Sequence, residues 1–140
     1  MFNSFSLPEF RYIDGLLLLV PLLPSKGRIS DSRILNDMPL AFCVIELVFD
    51  ANGRGVDFVF RYCNEEMAVV EGIPVSEMLN NSFYEVFKNG DKKWLVTYAD
   101  VALNGTKVIL HDYSPEIGKD LSIYCFQPHP GYCACILIPG

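Results

Sequence analysis

Five cysteines, two histidines and a scatter of carboxylates are the side chains with which this 140-residue chain could do chemistry. Cys133-Ala134-Cys135 is a C-x-C pair that strand alternation turns to one face. A zinc site would need two further ligands beside it, and the only histidines are His111 and His129, so no metal is expected. Small buried hydrophobes is the reading for these thiols, since unpaired cysteine is commonly buried. The full set, Cys43, Cys63, Cys125, Cys133 and Cys135, is odd in number and falls in strand-like segments. That argues for a reducing cytoplasm over a secreted disulfide framework. Cys125 could in principle be a nucleophile, but it has no histidine at a supported spacing and faces a strand interior, where thiolate formation is disfavoured. Asp57, Glu65, Glu66 and Asp112 read as solvated acids, and Gly53 and Gly55 belong to a hairpin rather than to a phosphate-cradling loop. No catalytic residue emerges; a small thiol or acid–base enzyme is the alternative these residues leave.

The elements that would position them belong to one domain with a substantial core. Hydrophobic residues make up 51% of the chain and aromatics 13%, which excludes a disordered segment. The net charge of -6, with Lys92-Lys93 the only adjacent basic pair, disfavours binding to nucleic acid through its phosphates. The apolar run Gly15–Leu23 is too short for a membrane span, which needs roughly 20 residues, and Pro21 interrupts it. No basic n-region or cleavage site makes it a signal peptide. It is expected to pack on the domain or on a partner, within an irregular segment 1–28.

Ile29–Asp37, with Ser30 or Asp31 as cap and Pro39 as its stop, predicts a short flanking helix before a main domain over 39–138. Ala41–Asp50 and Val56–Cys63 form a hairpin about Asn52-Gly53, a favoured turn dipeptide. Centring that turn pairs Cys43 with Asn64, Ile45 with Tyr62, Leu47 with Phe60 and Phe49 with Phe58 on one face, and Glu46 with Arg61 on the other. Helical segments follow: Asn64–Glu71 closed by Gly72, a turn after Pro74, the Phe83–Phe87 stretch, and Asp91–Leu103 with Trp94, Leu95, Tyr98, Val101 and Ala102 on its apolar face. The last third is a meander, Thr106–Tyr113, Leu121–Gln127 and Tyr132–Ile138. Centring its second turn on His129-Pro130 sets Ile123 against Ile136 and Cys125 against Ala134, with Tyr124 against Cys135 and Phe126 against Cys133 on the other face. Both faces are apolar, so the sheet should be covered on both sides.

This order of elements, read with its local wording, resembles the PAS domain family, and within it the modules that precede diguanylate cyclase domains in bacterial signalling proteins. The resemblance is carried by Met38-Pro39-Leu40-Ala41-Phe42, Asp50-Ala51-Asn52-Gly53 and Phe60-Arg61-Tyr62-Cys63-Asn64-Glu65. It continues through Phe83-Tyr84-Glu85-Val86-Phe87, Val101-Ala102-Leu103-Asn104-Gly105 and Tyr113-Ser114-Pro115-Glu116-Ile117-Gly118-Lys119, covering about 38–138. It implies an α+β fold: a PAS-like five-stranded antiparallel sheet, β-β-α-α-α-β-β-β along the chain, with short helices on one face and a ligand pocket between. Ile29–Asp37 would then cover the outer face.

The resemblance further implies a regulatory sensor that binds a small molecule, dimerises, or both, to control an attached output domain in cyclic-dinucleotide signalling. A ligand-free dimerisation module is the alternative. No cyclase, kinase or DNA-binding motif follows Gly140, so a fragment of a larger protein or a free-standing module is expected. Flavin photochemistry in this family uses a cysteine of a central helix, and none lies between Cys63 and Cys125; haem would need an axial histidine that Asp91–Leu103 lacks. The ligand itself is not named by the sequence. Candidate pocket residues are Phe58, Phe60, Tyr62, Tyr98, Ile123 and Cys125; candidate outer-face, dimer-forming residues are Val44, Val48, Tyr124, Phe126 and Leu137.

Overall fold

The computed structural model describes residues 9–13, 16–20 and 31–140, with side chains from residue 34 onward. Two short strands, β1 (Glu9–Ile13) and β2 (Leu16–Val20), pair antiparallel with Ile13 opposite Leu16. An irregular segment was expected here. The missed signal is the dipeptide between the strands in the sequence, Asp14-Gly15, which favours two-residue hairpin loops. The remainder of residues 1–28, including positions 21–23 of the apolar run, lies outside the described residues.

A short helix α1 (Asp31–Asp37) leads into the main sheet. Five strands follow in the spatial order β4-β3-β7-β6-β5, all antiparallel: β3 (Ala41–Phe49), β4 (Gly55–Cys63), β5 (Val108–Ser114), β6 (Lys119–Phe126) and β7 (Tyr132–Pro139). Between β4 and β5 the chain makes α2 (Glu65–Glu71), α3 (Val75–Met78), α4 (Phe83–Val86) and α5 (Lys93–Asn104). Each ends for a local reason. Gly72 and Gly105 take the left-handed conformation that closes α2 and α5, and α4 starts in a capping box between Ser82 and Glu85. The stretch Leu79–Ser82 bridges to Val59 and Phe60 and so covers the free edge of β4.

The first hairpin differs in register from the expected one, through its turn and through two irregularities in the ladder, one that leaves out Val56 next to the turn and one that leaves out Arg61. Asp50 Oδ1 accepts from the amides of Asn52 and Arg54 at 2.8 and 2.9 Å, tightening the turn, so Leu47 faces Phe58 and Ile45 faces Phe60. Between Ile45–Phe60 and Val44–Tyr62 the ladder shifts and Arg61 is left over. That extra residue inverts the alternation beyond it: Phe58, Phe60 and Cys63 point inward, and Tyr62 turns to the outer face beside Phe42. The Glu46–Arg61 ion pair forms nonetheless, at 2.9 Å. The β6–β7 pairing is also one residue off the expected register, with Gly131 (φ 88) in the turn; Ile123 faces Leu137, and Cys125 faces Cys135. A one-residue slip exchanges the faces of a strand. Leu137, expected on the outer face, is therefore in the inner core.

The inner face packs against α2 to α5, with Trp94, Leu95, Tyr98, Val101 and Ala102 of α5 all buried. At Gly55 the β4 backbone comes so close to α5 that an added Cβ would sit 2.8 Å from the Cβ of Ala99. The outer face carries a second cluster, Phe42, Val44, Tyr132 and Ala134, on which Leu35 of α1 and Met38 pack.

One polar side chain joins the two layers. Asn64 is wholly buried; its Oδ1 accepts from the amides of Phe42 and Met67 at 3.0 Å each, and its Nδ2 donates to the carbonyls of Leu35 and Leu40 at 2.8 Å each. Asn64→Ala strands the Phe42 amide and the Leu35 and Leu40 carbonyls, while the Met67 amide keeps the Asn64 backbone carbonyl at 3.1 Å; each buried group so stranded costs about 1–3 kcal/mol. The expected outcome is a loss of about 3 kcal/mol or more in urea unfolding; a loss under about 1 kcal/mol would show that water replaces the side chain.

Candidate functional site

The candidate site is the cavity between the inner sheet face and the helices. Its volume is about 40 Å³. The sheet supplies Cys43, Ile45, Phe58, Phe60, Leu121, Ile123, Cys135 and Leu137; the helices supply Met67, Glu71, Phe83, Trp94 and Tyr98. Aromatic rings account for the narrowness. Phe58 stacks on Phe83 at 4.7 Å and meets Phe60 and Tyr98 edge-on at 5.3 and 5.6 Å, and Tyr98 stacks with Trp94 at 6.3 Å. Each such pair adds about 0.5–1.5 kcal/mol beyond burial.

One end of the cavity is acidic. Glu116, in the β5–β6 turn, accepts from the Asp91 amide, from Ser114 Oγ at 2.8 Å and from Trp94 Nε1 at 3.1 Å, which ties the start of α5 to the sheet. Burial pushes this carboxyl up, but those hydrogen bonds outweigh it and hold Glu116 below its usual value. Glu71, the last residue of α2, behaves in the opposite way. Burial, followed by repulsion from Glu116, raises it from 4.5 to about 7, with Lys119 opposing. Its place at a helix C-terminus, the negative end of the dipole, is also unfavourable for a carboxylate. Lys119 donates to the Val70 carbonyl at 2.7 Å, capping the same helix end. Two carboxyls with values driven apart share one mouth. One holds a proton near neutrality and the other does not.

Of the residues expected in the pocket, Phe58, Phe60, Tyr98 and Ile123 line this cavity. Tyr62 does not, because the bulge turns it outward. Cys125 lies in the inner core, opposite Cys135, one residue away from the lining. Of the outer-face set, Val44 is buried in the outer cluster, Leu137 lines the inner cavity, and Val48 and Tyr124 are exposed, with Phe126 half-buried. Glu71, Glu116, Trp94 and Phe83 were missed as site residues. Glu116 sits in the Ser114–Lys119 turn wording, but only tertiary structure brings Glu71 beside it.

His111 is exposed on β5 with Nδ1 2.7 Å from Ser122 Oγ and does not face the cavity. Cys133 and Cys135 do have a further ligand-type neighbour, contrary to expectation: the register brings Cys125 to them. Hydrogen bonds from these two thiols draw the Cys125 sulfur below the ordinary thiol range against the opposing effect of burial, while the same contacts help push the Cys135 thiol, and the contact with Cys125 the Cys133 thiol, above it.

No protein-family model matches the sequence, and no curated protein is significantly similar to it. Solved structures are. The PAS domain of nitrogen regulation protein NR(II) from Vibrio parahaemolyticus superposes with a TM-score of 0.55 at 14% identity, over 81% of this chain and 100% of that one. The PAS domain of an HTR-like protein from Haloarcula marismortui gives 0.51 at 15% identity, over 78% and 96%. An RNA-binding light-oxygen-voltage receptor gives 0.54 at 13% identity; this chain spans 84% of its own length but 36% of that receptor. The fold is that of a PAS domain. Within it the cavity lies where the PAS sheet faces the helices. None of the helices among the described residues is long and apolar enough to cross a membrane.

The Glu71 shift has a defined sign. Its folded-state value lies above its unfolded one, so the folded state holds the extra proton and stability falls as pH rises from about 4.5 to about 7. Glu71→Gln removes that loss. The stability of the variant relative to the native chain should improve by up to about 3 kcal/mol between pH 4.5 and pH 8, read from urea midpoints. A difference that does not change with pH would show that Glu71 titrates normally.

Proposed function

We propose that this PAS domain is a regulatory input module in which the inner cavity receives the signal. The observation that supports the reading is the cavity itself, a space between sheet and helices with a split acid pair at one end, on a fold also found in a nitrogen regulation protein and a light-oxygen-voltage receptor. Drug-sized ligands occupy roughly 300–1,000 Å³. At about 40 Å³ the cavity admits a few heavy atoms or a proton, and haem or flavin would need the aromatic rings to swing aside. The output is a covalently attached domain; its assignment to cyclic-dinucleotide signalling rests on the resemblance in local sequence wording. The free state of all five cysteines is in keeping with a reducing, cytoplasmic setting.

A second reading, a ligand-free homodimerisation module, is supported by the part of the outer face that the described residues leave exposed. Beyond α1, the β5–β6 side presents Ile109 (58% exposed) and Tyr124 (41%), with Phe126 and Ile136 half-buried beside them. A contiguous apolar surface of this kind commonly marks an interaction site. Native mass spectrometry and sedimentation test both readings. The expected result is a dimer at tens of micromolar that Tyr124→Asp converts to a monomer, with any retained adduct small. A retained species of haem or flavin size would overturn the small-signal reading, and a native chain still monomeric at about 100 µM would overturn dimerisation.

A further inference from the structure

All five cysteines lie on the inner face of the sheet, and four of them form a row across four strands. Cys63 is opposite Cys43, Cys43 is opposite Cys135, and Cys135 is opposite Cys125. Cys133 precedes Cys135 by two residues on β7 and so shares its face, their sulfurs 3.7 Å apart. The Sγ atoms of Cys125, Cys133 and Cys135 all lie within 4.8 Å of one another, and the three side chains are 3%, 0% and 1% exposed.

We infer that Cys125, Cys133 and Cys135 form a three-coordinate thiolate site for a soft, thiophilic d¹⁰ cation of the Cu(I) class. The geometry agrees. A trigonal ion with metal–sulfur bonds of about 2.3 Å sets its sulfurs roughly 4.0 Å apart. The observed separations, from 3.7 Å to within 4.8 Å, bracket that figure, so closure needs only small χ1 changes. The donor set chooses the ion. Among the described residues no imidazole or carboxylate joins the three sulfurs, which disfavours Mg²⁺, Ca²⁺ and Mn²⁺. Closed zinc sites take four ligands; Cys43 is hydrogen-bonded to Cys135 but lies outside the mutually close trio, and three thiolates alone suit Cu(I). Each thiol that coordinates releases its proton to solvent, and the ion enters and stays as Cu(I), with no electron transferred. Entry is by way of the inner cavity, which Cys135 borders. The row also supplies its own control, since Cys63 is buried on the same face, at the far end of the row from Cys125.

The inference stands independently of any sensing role, and metal binding reads it out directly. The reduced full chain is titrated anaerobically with Cu(I) against a chromophoric Cu(I) chelator, and the loaded protein is examined by copper X-ray absorption. One Cu(I) per chain with three sulfur neighbours is expected. Cys125→Ser, Cys133→Ser and Cys135→Ser should each lower affinity by more than the roughly 10–100-fold typical of a change to an outer-shell partner, while Cys63→Ser leaves it unchanged. Two-sulfur or nitrogen-containing coordination in the native protein would overturn the site even if a variant failed to fold. So would an equal loss in Cys63→Ser, or full affinity in the variant lacking all three thiols.

Discussion

The buried amide of Asn64 is the interaction on which the rest of the domain is hung. A polar side chain with no exposure is tolerable only when its donors and acceptors are all met, and here four backbone groups meet them. Those groups belong to different parts of the chain. The Leu35 carbonyl is in α1, the Leu40 carbonyl and Phe42 amide open β3, and the Met67 amide is in the first turn of α2. One side chain therefore fixes the helix on the outer face, the strand between, and the helix on the inner face. Aspartate could keep the two acceptor contacts but would set a charge against the Leu35 and Leu40 carbonyls, so the amide is specified by both of its ends.

From that node the site follows. α2 leaves Asn64 with Met67 and Val70 buried and ends at Glu71, which its length and direction deliver to the mouth of the cavity. Opposite it, Glu116 is held by the Asp91 amide, just ahead of α5, and by the Trp94 indole of α5. The acid pair thus reports the relative position of α2 and α5. Protonation of Glu71 relaxes its repulsion with Glu116.

Much of this was legible in the sequence where local chemistry decides structure. The α5 helix follows from its apolar periodicity and the Asn104-Gly105 stop, and the first turn from Asn52-Gly53, whereas the two-sided cover expected of the sheet holds only in part: Leu35 and Met38 pack on the β3–β7 side of the outer face, and Ile109 and Tyr124 stay exposed. The illegible features of the sheet are matters of register. Strand pairing read by symmetry about a turn assumes that no residue is left over, and Arg61 is left over. Tyr62 was consequently assigned inward. In the last hairpin a one-residue slip assigned Leu137 outward and kept Cys125 from Cys135. The pairing of Glu46 with Arg61 survives because long side chains reach across a bulge, so a satisfied ion pair is weak support for a register.

That same slip decides what the sheet can transmit. In the expected register Cys135 would back onto the outer face, and the thiols would be divided between two environments. In the observed one they face α5 together, while Val44, Ala134 and Phe126 occupy the outer side of the same three strands. Strand spacing is common to both faces, because a backbone ladder has no independent inner and outer geometry. A change in how tightly β3, β7 and β6 are drawn together on the thiol side is thereby a change in the surface formed by Tyr124, Phe126 and Ile136. The coupling needs no chain of side chains between sites, since the two surfaces are the two sides of one hydrogen-bonded layer.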